Sequence, residues 1–151
     1  MKLRGFKVVS AFEHKGINIP KRATMNAAGY DIESAEDVTI QPNEIKLVAT
    51  GLKAYMQDDE VLYLYDRSSN PRKKGIVLTN SVGVVDADYF NNPTNEGHFF
   101  GQFTNITDGP IEIKKGDKIM QGVFSKYLKA DDDEAINARE GGFGSTDNEG
   151  E

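Results

Sequence analysis

Asp86 and Tyr89 close a stretch, Gly75 to Tyr89, whose residue types could hold and act on a small flat ligand. Ile76, Val77 and Leu78 form a β-prone run, Asn80 through Gly83 supply turn chemistry, and Val84 and Val85 start a return strand leading to Asp86. The pattern predicts a hairpin-like β-arm with Gly83 at its bend, where no side chain keeps a ligand from backbone N–H and C=O groups. Asp86, next to apolar Val84 and Val85, is a candidate general base whose position and acidity partial burial would set. An ordinary hairpin with its polar residues toward water, ended by an aspartate that caps a turn, satisfies the same residues.

Arg67-Ser68-Ser69 puts a permanent, fork-shaped cation beside two hydroxyls and their amides, the composition that a phosphate site needs; a surface turn has the same look. Gly141-Gly142-Phe143-Gly144-Ser145-Thr146 is more specific. Its glycines, Gly144 among them, let backbone amides wrap phosphate oxygens, Ser145 and Thr146 add donors, and Phe143 could lie on a base. It is not a P-loop, which would need a Lys and a strand-to-helix setting. Asp31, after Gly29-Tyr30, could reach a metal or its waters, or serve as a loop carboxylate. Asp131-Asp132-Asp133-Glu134 lacks the glycine and alternation of a calcium loop and reads as a solvated acidic segment. His14 and His98 have no metal-ligand spacing, and no Ser-His-Asp pattern is present.

The elements that must position these groups are strands. Phe6 to Phe12 is expected as a first strand, Ile45–Thr50 and Leu52–Met56 as strands with a bulge or bend at Gly51, and Val61–Tyr65 as a buried strand delivering Asp66 to Ser69. His98–Ile106, Ile111–Ile113 and Lys118–Phe124 follow, and Asn70 to Lys74 could make one short helix with Pro71 in its first turn. Many short strands at close spacing imply an all-β sandwich or barrel, with a mobile glycine-rich tail. One domain is expected, a β body over 1–130 carrying a flexible arm over 131–151.

Composition narrows the function classes. The 151 residues suit a single modest core, with 38% hydrophobic and 28% charged residues. A net charge of −6 argues against a nucleic-acid surface, so any phosphate must meet local positive charge. No cysteine is present, no leader-like apolar core follows Met1, and no apolar run reaches the about 18 residues of a membrane helix. A cytoplasmic protein with no membrane and no nucleic-acid partner is the expectation.

Taken in order, Ala28-Gly-Tyr-Asp31, Arg67-Ser-Ser69, Asn80-Ser-Val-Gly-Val-Val-Asp-Ala-Asp-Tyr89, Gly116-Asp-Lys-Ile-Met-Gln121 and Gly141-Gly-Phe-Gly-Ser-Thr146 resemble the five motifs of the trimeric dUTP pyrophosphatases (dUTPases), over nearly the whole chain. The resemblance implies a jelly-roll homotrimer with active sites shared between subunits, hydrolysing dUTP to dUMP and pyrophosphate with Mg2+. It implies that Asn80 and the backbone at Gly83 read uracil, and that Tyr89 packs under the deoxyribose where a 2′-hydroxyl would clash. Asp86 would activate the water that attacks the α-phosphorus. Arg67, Ser68 and Ser69 would hold phosphates, and Gln121 would bind near the α-phosphate. Asp31 would act through waters of the magnesium. Phe143 would cover the base while Arg139, Ser145 and Thr146 close on the γ-phosphate.

Three features depart from the family pattern. Ser69 stands where the second motif usually ends in Gly, Arg139 lies one residue nearer the glycine pair than usual, and Asn91 to Gly97 lengthens the loop after Tyr89. An alternative within the fold is a dCTP deaminase, but Gln102 occupies the place of its catalytic glutamate. A second alternative is a nucleotide-responsive binding or regulatory protein.

Overall fold

Short apolar runs cut by turn residues become eleven strands among the described residues: β1 Gly5–Val8, β2 Lys21–Arg22, β3 Tyr30–Glu33, β4 Val38–Ile40, β5 Ile45–Tyr55, β6 Glu60–Asp66, β7 Ile76–Leu78, β8 Val82–Asp86, β9 Phe99–Asn105, β10 Ile111–Ile113 and β11 Lys118–Lys126. The structure, a computed structural model, describes residues 1–136 together with Arg139, Gly141, Gly142 and Asp147. β9 shows the two-residue period most clearly: Phe99, Gly101, Phe103 and Asn105 are buried while the residues between them are half-open.

The strands form a four-stranded sheet in the order β1-β5-β9-β7, a five-stranded sheet in the order β2-β3-β11-β6-β8, and a small β10-β4 pair. Every ladder is antiparallel. Leu52, Ile76 and Phe103 from the first large sheet and Ile32, Leu62 and Met120 from the second are essentially solvent-free in one shared core. Each such side chain contributes about 1.5–3 kcal/mol through burial. Helical structure among the described residues is confined to the five-residue turn Asn70–Lys74 and single 3-10 turns at Ser10–Phe12 and Ala87–Tyr89. This is the all-β architecture expected from the strand spacing, in the jelly-roll form that the family resemblance implies, and no helix among the described residues is long and apolar enough to cross a membrane.

Gly51 is the bulge that its place between two strand-like runs suggested. Its φ is +72°, and the β5–β9 register shifts between Ala49 and Leu52. Two local expectations are corrected. The first strand stops at Val8: the amide of Val9 reaches across to Gly51 O at 2.9 Å, and the chain then turns through Ser10–Phe12. Residues 76–86 are not a hydrogen-bonded hairpin either. β7 pairs with β9 and β8 with β6, so the chain changes sheets at Asn80-Ser81. The crossing is tight, with Ser81 at φ +66° and the Val82 amide on Asn80 O at 2.7 Å.

Candidate active site

A crevice of about 180 Å³ runs along β8, lined by Asn80, Gly83 and Asp86 together with Tyr89 and Phe99. Gly83 pairs with Leu64 across the ladder, and a Cβ at residue 83 would lie 3.0 Å from the Leu64 Cβ. A side chain there would crowd Leu64, and the glycine backbone lines the crevice bare. Asp86 ends β8 at φ −76°, ψ 155° and leads into the turn that carries Tyr89. Its carboxylate is half-exposed and paired with the Arg139 guanidinium, which also donates through Nε to Asp88 at 2.8 Å.

Tyr89 is buried and held at its tip. The hydroxyl donates to His98 O at 2.8 Å and accepts from Asn95 Nδ2 at 2.7 Å. Burial raises the phenol above its ordinary acidity range, with the Asn95 bond acting the other way, so it stays a neutral donor. Gly142 lies against the ring: a Cβ there would fall 2.6 Å from Tyr89 Cε1. Arg139 Nη1 donates to Gly141 O at 2.9 Å, so the described part of the arm rests on Tyr89 and the two aspartates.

A second group of the expected residues gathers where β6 ends. Asp66, the neighbour of Arg67 and no candidate from its sequence setting, is its hub. One carboxylate oxygen accepts from the Arg67 amide at 2.9 Å and from Asn70 Nδ2 at 2.6 Å, and the other accepts from the Leu78 amide at 2.9 Å. Asp66 thus fixes the Arg67–Ser69 turn and the start of the sheet crossing together. The signal available for it was its place at the end of an apolar strand, next to residues already singled out. Arg67 also donates to Lys118 O at 3.2 Å, and Gln121 donates to Asp66 O at 3.1 Å while folding over Gly29. Asp31 sits opposite Gln121 in the β3–β11 ladder and pairs with Lys118 at 3.1 Å. Ser69, at φ −82° and ψ −17°, occupies a backbone region open to any residue, so its departure from glycine carries no strain.

Within one chain the Asn80 end of the crevice adjoins the Arg67 turn, since Val82 pairs with Tyr65 and the Leu78 amide reaches Asp66, but Asp86 lies at the far end of the ladder. Val61 pairs with Asp86, so the run from Val61 to Asp66 separates the crevice acid from the Arg67 turn by about 16 Å of strand. Phe143, Gly144, Ser145 and Thr146 lie outside the described residues.

Fold and crevice describe an antiparallel β protein with a small-molecule-sized crevice along β8 and the Asp86 carboxylate in its lining. Comparison with known proteins narrows this. The dUTPase family model matches residues 15–147. The chain is 63% identical over 148 residues to the deoxyuridine 5′-triphosphate nucleotidohydrolase of Lactococcus lactis, covering 97% of this chain and 99% of that one. It is similar to the crystal structure of dUTPase from Streptococcus mutans at a TM-score of 0.81 and 54% identity, over 84% of this chain and 98% of the other. A Staphylococcus bacteriophage 80alpha dUTPase variant solved with dUpNHpp shares the fold at a TM-score of 0.69 and 24% identity, over 96% and 98% of the two chains. The chain belongs to the dUTPase family.

Proposed function

We propose that this chain, which hydrolyses dUTP to dUMP and pyrophosphate, does so with Asp86 as the base that takes a proton from a water attacking the α-phosphorus. The observation that carries the reading is the crevice, with bare backbone at Gly83, a fixed Tyr89 and the Asp86 carboxylate at one mouth. Asn80 and the Gly83 backbone read the uracil edge, where the narrow floor excludes the methyl of thymine. Tyr89 lies beneath the deoxyribose. The attacking water sits within hydrogen-bond reach of Asp86, in line with the leaving pyrophosphate. A phosphoanhydride offers no carbonyl to polarise, so rate comes from that alignment and from neutralising charge on phosphate oxygens.

Arg67, Ser68, Ser69 and Gln121 supply that neutralisation, and Arg139, Gly144, Ser145 and Thr146 close on the terminal phosphates with Phe143 over the base. Arg139 can leave its aspartate partners for a more highly charged triphosphate. The distance between Asp86 and the Arg67 turn supports a homotrimer in which each site joins groups from different subunits, on a β body of 1–130 with an arm of 131–151. Among the described residues no group of three His, Cys, Asp or Glu could enclose a metal. That suits Mg2+, which keeps waters and takes phosphate oxygens, with Asp31 acting through a water. The ion would supply charge neutralisation at those phosphates.

The test supplies dUTP, dCTP, dTTP and UTP with magnesium and reads pyrophosphate and ammonia. Pyrophosphate from dUTP alone is the expected result. Ammonia from dCTP, or no turnover, contradicts the reading.

A further inference from the structure

The loop after Tyr89 is a folded object with its own bonds. The Asn91 amide reaches Glu96 O at 2.9 Å and the Glu96 amide reaches Asn92 O at 3.0 Å, closing it on itself. Buried Asn92 donates through Nδ2 to Tyr89 O at 2.7 Å and to Asn95 Oδ1 at 2.8 Å, while its own Oδ1 accepts the amides of Thr94 and Asn95. Gly97 sits at φ +89°, and a Cβ there would lie 2.8 Å from Tyr89 O. Only glycine lets the loop wrap this closely on the Tyr89 backbone.

The loop is also pinned from outside. Glu96 accepts from the amide and hydroxyl of Ser10 at 3.1 Å each and from Lys53 Nζ at 2.6 Å, and Lys53 Nζ also donates to Asn91 Oδ1 at 2.6 Å. This bracing leaves the Asn95 amide little choice of orientation. Its Oδ1 accepts from Asn92 Nδ2 and from the Gly97 amide at 3.1 Å, so its Nδ2 must be the group that donates to Tyr89 Oη. With the Tyr89 proton committed to His98 O, that one amide is the second side-chain bond on the hydroxyl. Neither Asn92 nor Asn95 lines the crevice.

We propose that Asn95, oriented by Asn92 and Gly97, is a positioning residue for sugar discrimination: it stops the Tyr89 ring from retreating to admit a 2′-hydroxyl. The inference rests on the reading that Tyr89 lies beneath the sugar. Rejecting one extra hydroxyl by sterics needs a wall that does not yield, since a compliant pocket discriminates poorly against an added hydroxyl. A ring tethered only to His98 O can pivot about that bond, whereas a second tether from Asn95, in a loop braced by Ser10 and Lys53, removes that freedom.

The test is the ratio of kcat/KM for dUTP to kcat/KM for UTP, in the full chain with magnesium, for Asn95→Ala, Tyr89→Phe and Tyr89→Ala. A partly unfolded population lowers both rates together and leaves the ratio alone. Asn95→Ala and Tyr89→Phe are expected to lower the ratio by about fivefold to tenfold, the worth of one buried hydrogen bond, and Tyr89→Ala by more. Tyr89→Phe leaves the bonds inside the loop intact and carries the test if Asn95→Ala does not fold. A ratio that moves in Tyr89→Ala but not in Tyr89→Phe or Asn95→Ala overturns the inference and keeps the sugar reading. A ratio unmoved even in Tyr89→Ala overturns the sugar reading itself.

Discussion

Around Tyr89 the hydroxyl, the amides of Asn92 and Asn95 and the carboxylate of Glu96 are all bonded within the chain, whereas Ser68 is exposed and Arg67 makes a single 3.2 Å side-chain bond to Lys118 O. The contrast matches what each region would do under the proposed reading. Shape discrimination needs groups whose positions are settled before the ligand arrives, because every yielding contact costs selectivity. Phosphate charge is neutralised by groups that can reorient, and a half-open arginine exchanges one carbonyl for phosphate oxygens at little cost. Asp86 stands between the two regimes. Its backbone is fixed by the β6–β8 ladder, while its carboxylate is half-exposed and paired to an arm residue that can depart.

The largest effect should come from that intermediate residue. Asp86→Asn is expected to lower kcat by about 10²–10⁴ while a non-hydrolysable dUTP analogue still binds, checked by steady-state kinetics and calorimetry. Next is Arg67→Lys, which keeps the charge but loses the fork; kcat/KM for dUTP should fall roughly tenfold to a hundredfold. Unchanged kinetics there would show that the open region is not the phosphate site. Gly83→Val should cost about 1–3 kcal/mol of stability through overpacking against Leu64, read by urea unfolding, and should close the crevice floor. A stable, active Gly83→Val would break the claim that the preformed end is tightly specified.

The smallest effect concerns pH. His98 accepts the Gly51 amide at Nε2 at 2.9 Å between the rings of Phe12 and Phe100, and burial lowers its pKa from 6.5 to about 4. Between those values the unfolded chain binds a proton that the folded chain refuses, so stability falls as pH drops through this window and levels off below it. The loss should be about 1–2 kcal/mol after allowing for solvent around a half-buried ring. His98→Gln, which can keep an acceptor for Gly51, should flatten that slope in unfolding measurements from pH 7 to 4. An unchanged slope would place the acid sensitivity elsewhere.

Much of the scaffold was legible because it is written locally. Gly51 between two strand-like runs marked the bulge, and the apolar run ending at Asp66 marked the strand that presents Arg67. The family motifs placed Asn80, Gly83, Asp86 and Tyr89 together, and the structure gathers them on one crevice. What was not legible depends on partners distant in sequence. Nothing in residues 76–86 says that the two halves belong to different sheets, because that choice is made by β9 and β6. The first strand ends where Val9 meets the Gly51 bulge, 42 positions away, and the chain turns at Ser10–Phe12. Asp66 looks like any strand-end aspartate until Leu78 and Asn70 come to it. The loop from Asn91 to Gly97 reads as polar coil, and its order arises only once Ser10 and Lys53 meet Glu96.

If Asp86 and the Arg67 turn, some 16 Å apart along β6 by strand rise, serve one site, they complete one another across subunits. The most direct measurement mixes Asp86→Asn with Arg67→Ala after mild denaturation and joint refolding, each being expected to turn over dUTP only weakly alone. If sites are shared, mixed assemblies contain some with both residues intact, and dUTP turnover should return to roughly a quarter of the unsubstituted level. Mixtures that stay as inactive as their parents, with mixed assemblies confirmed by mass, would mean that both groups serve a site within one chain and would contradict the account.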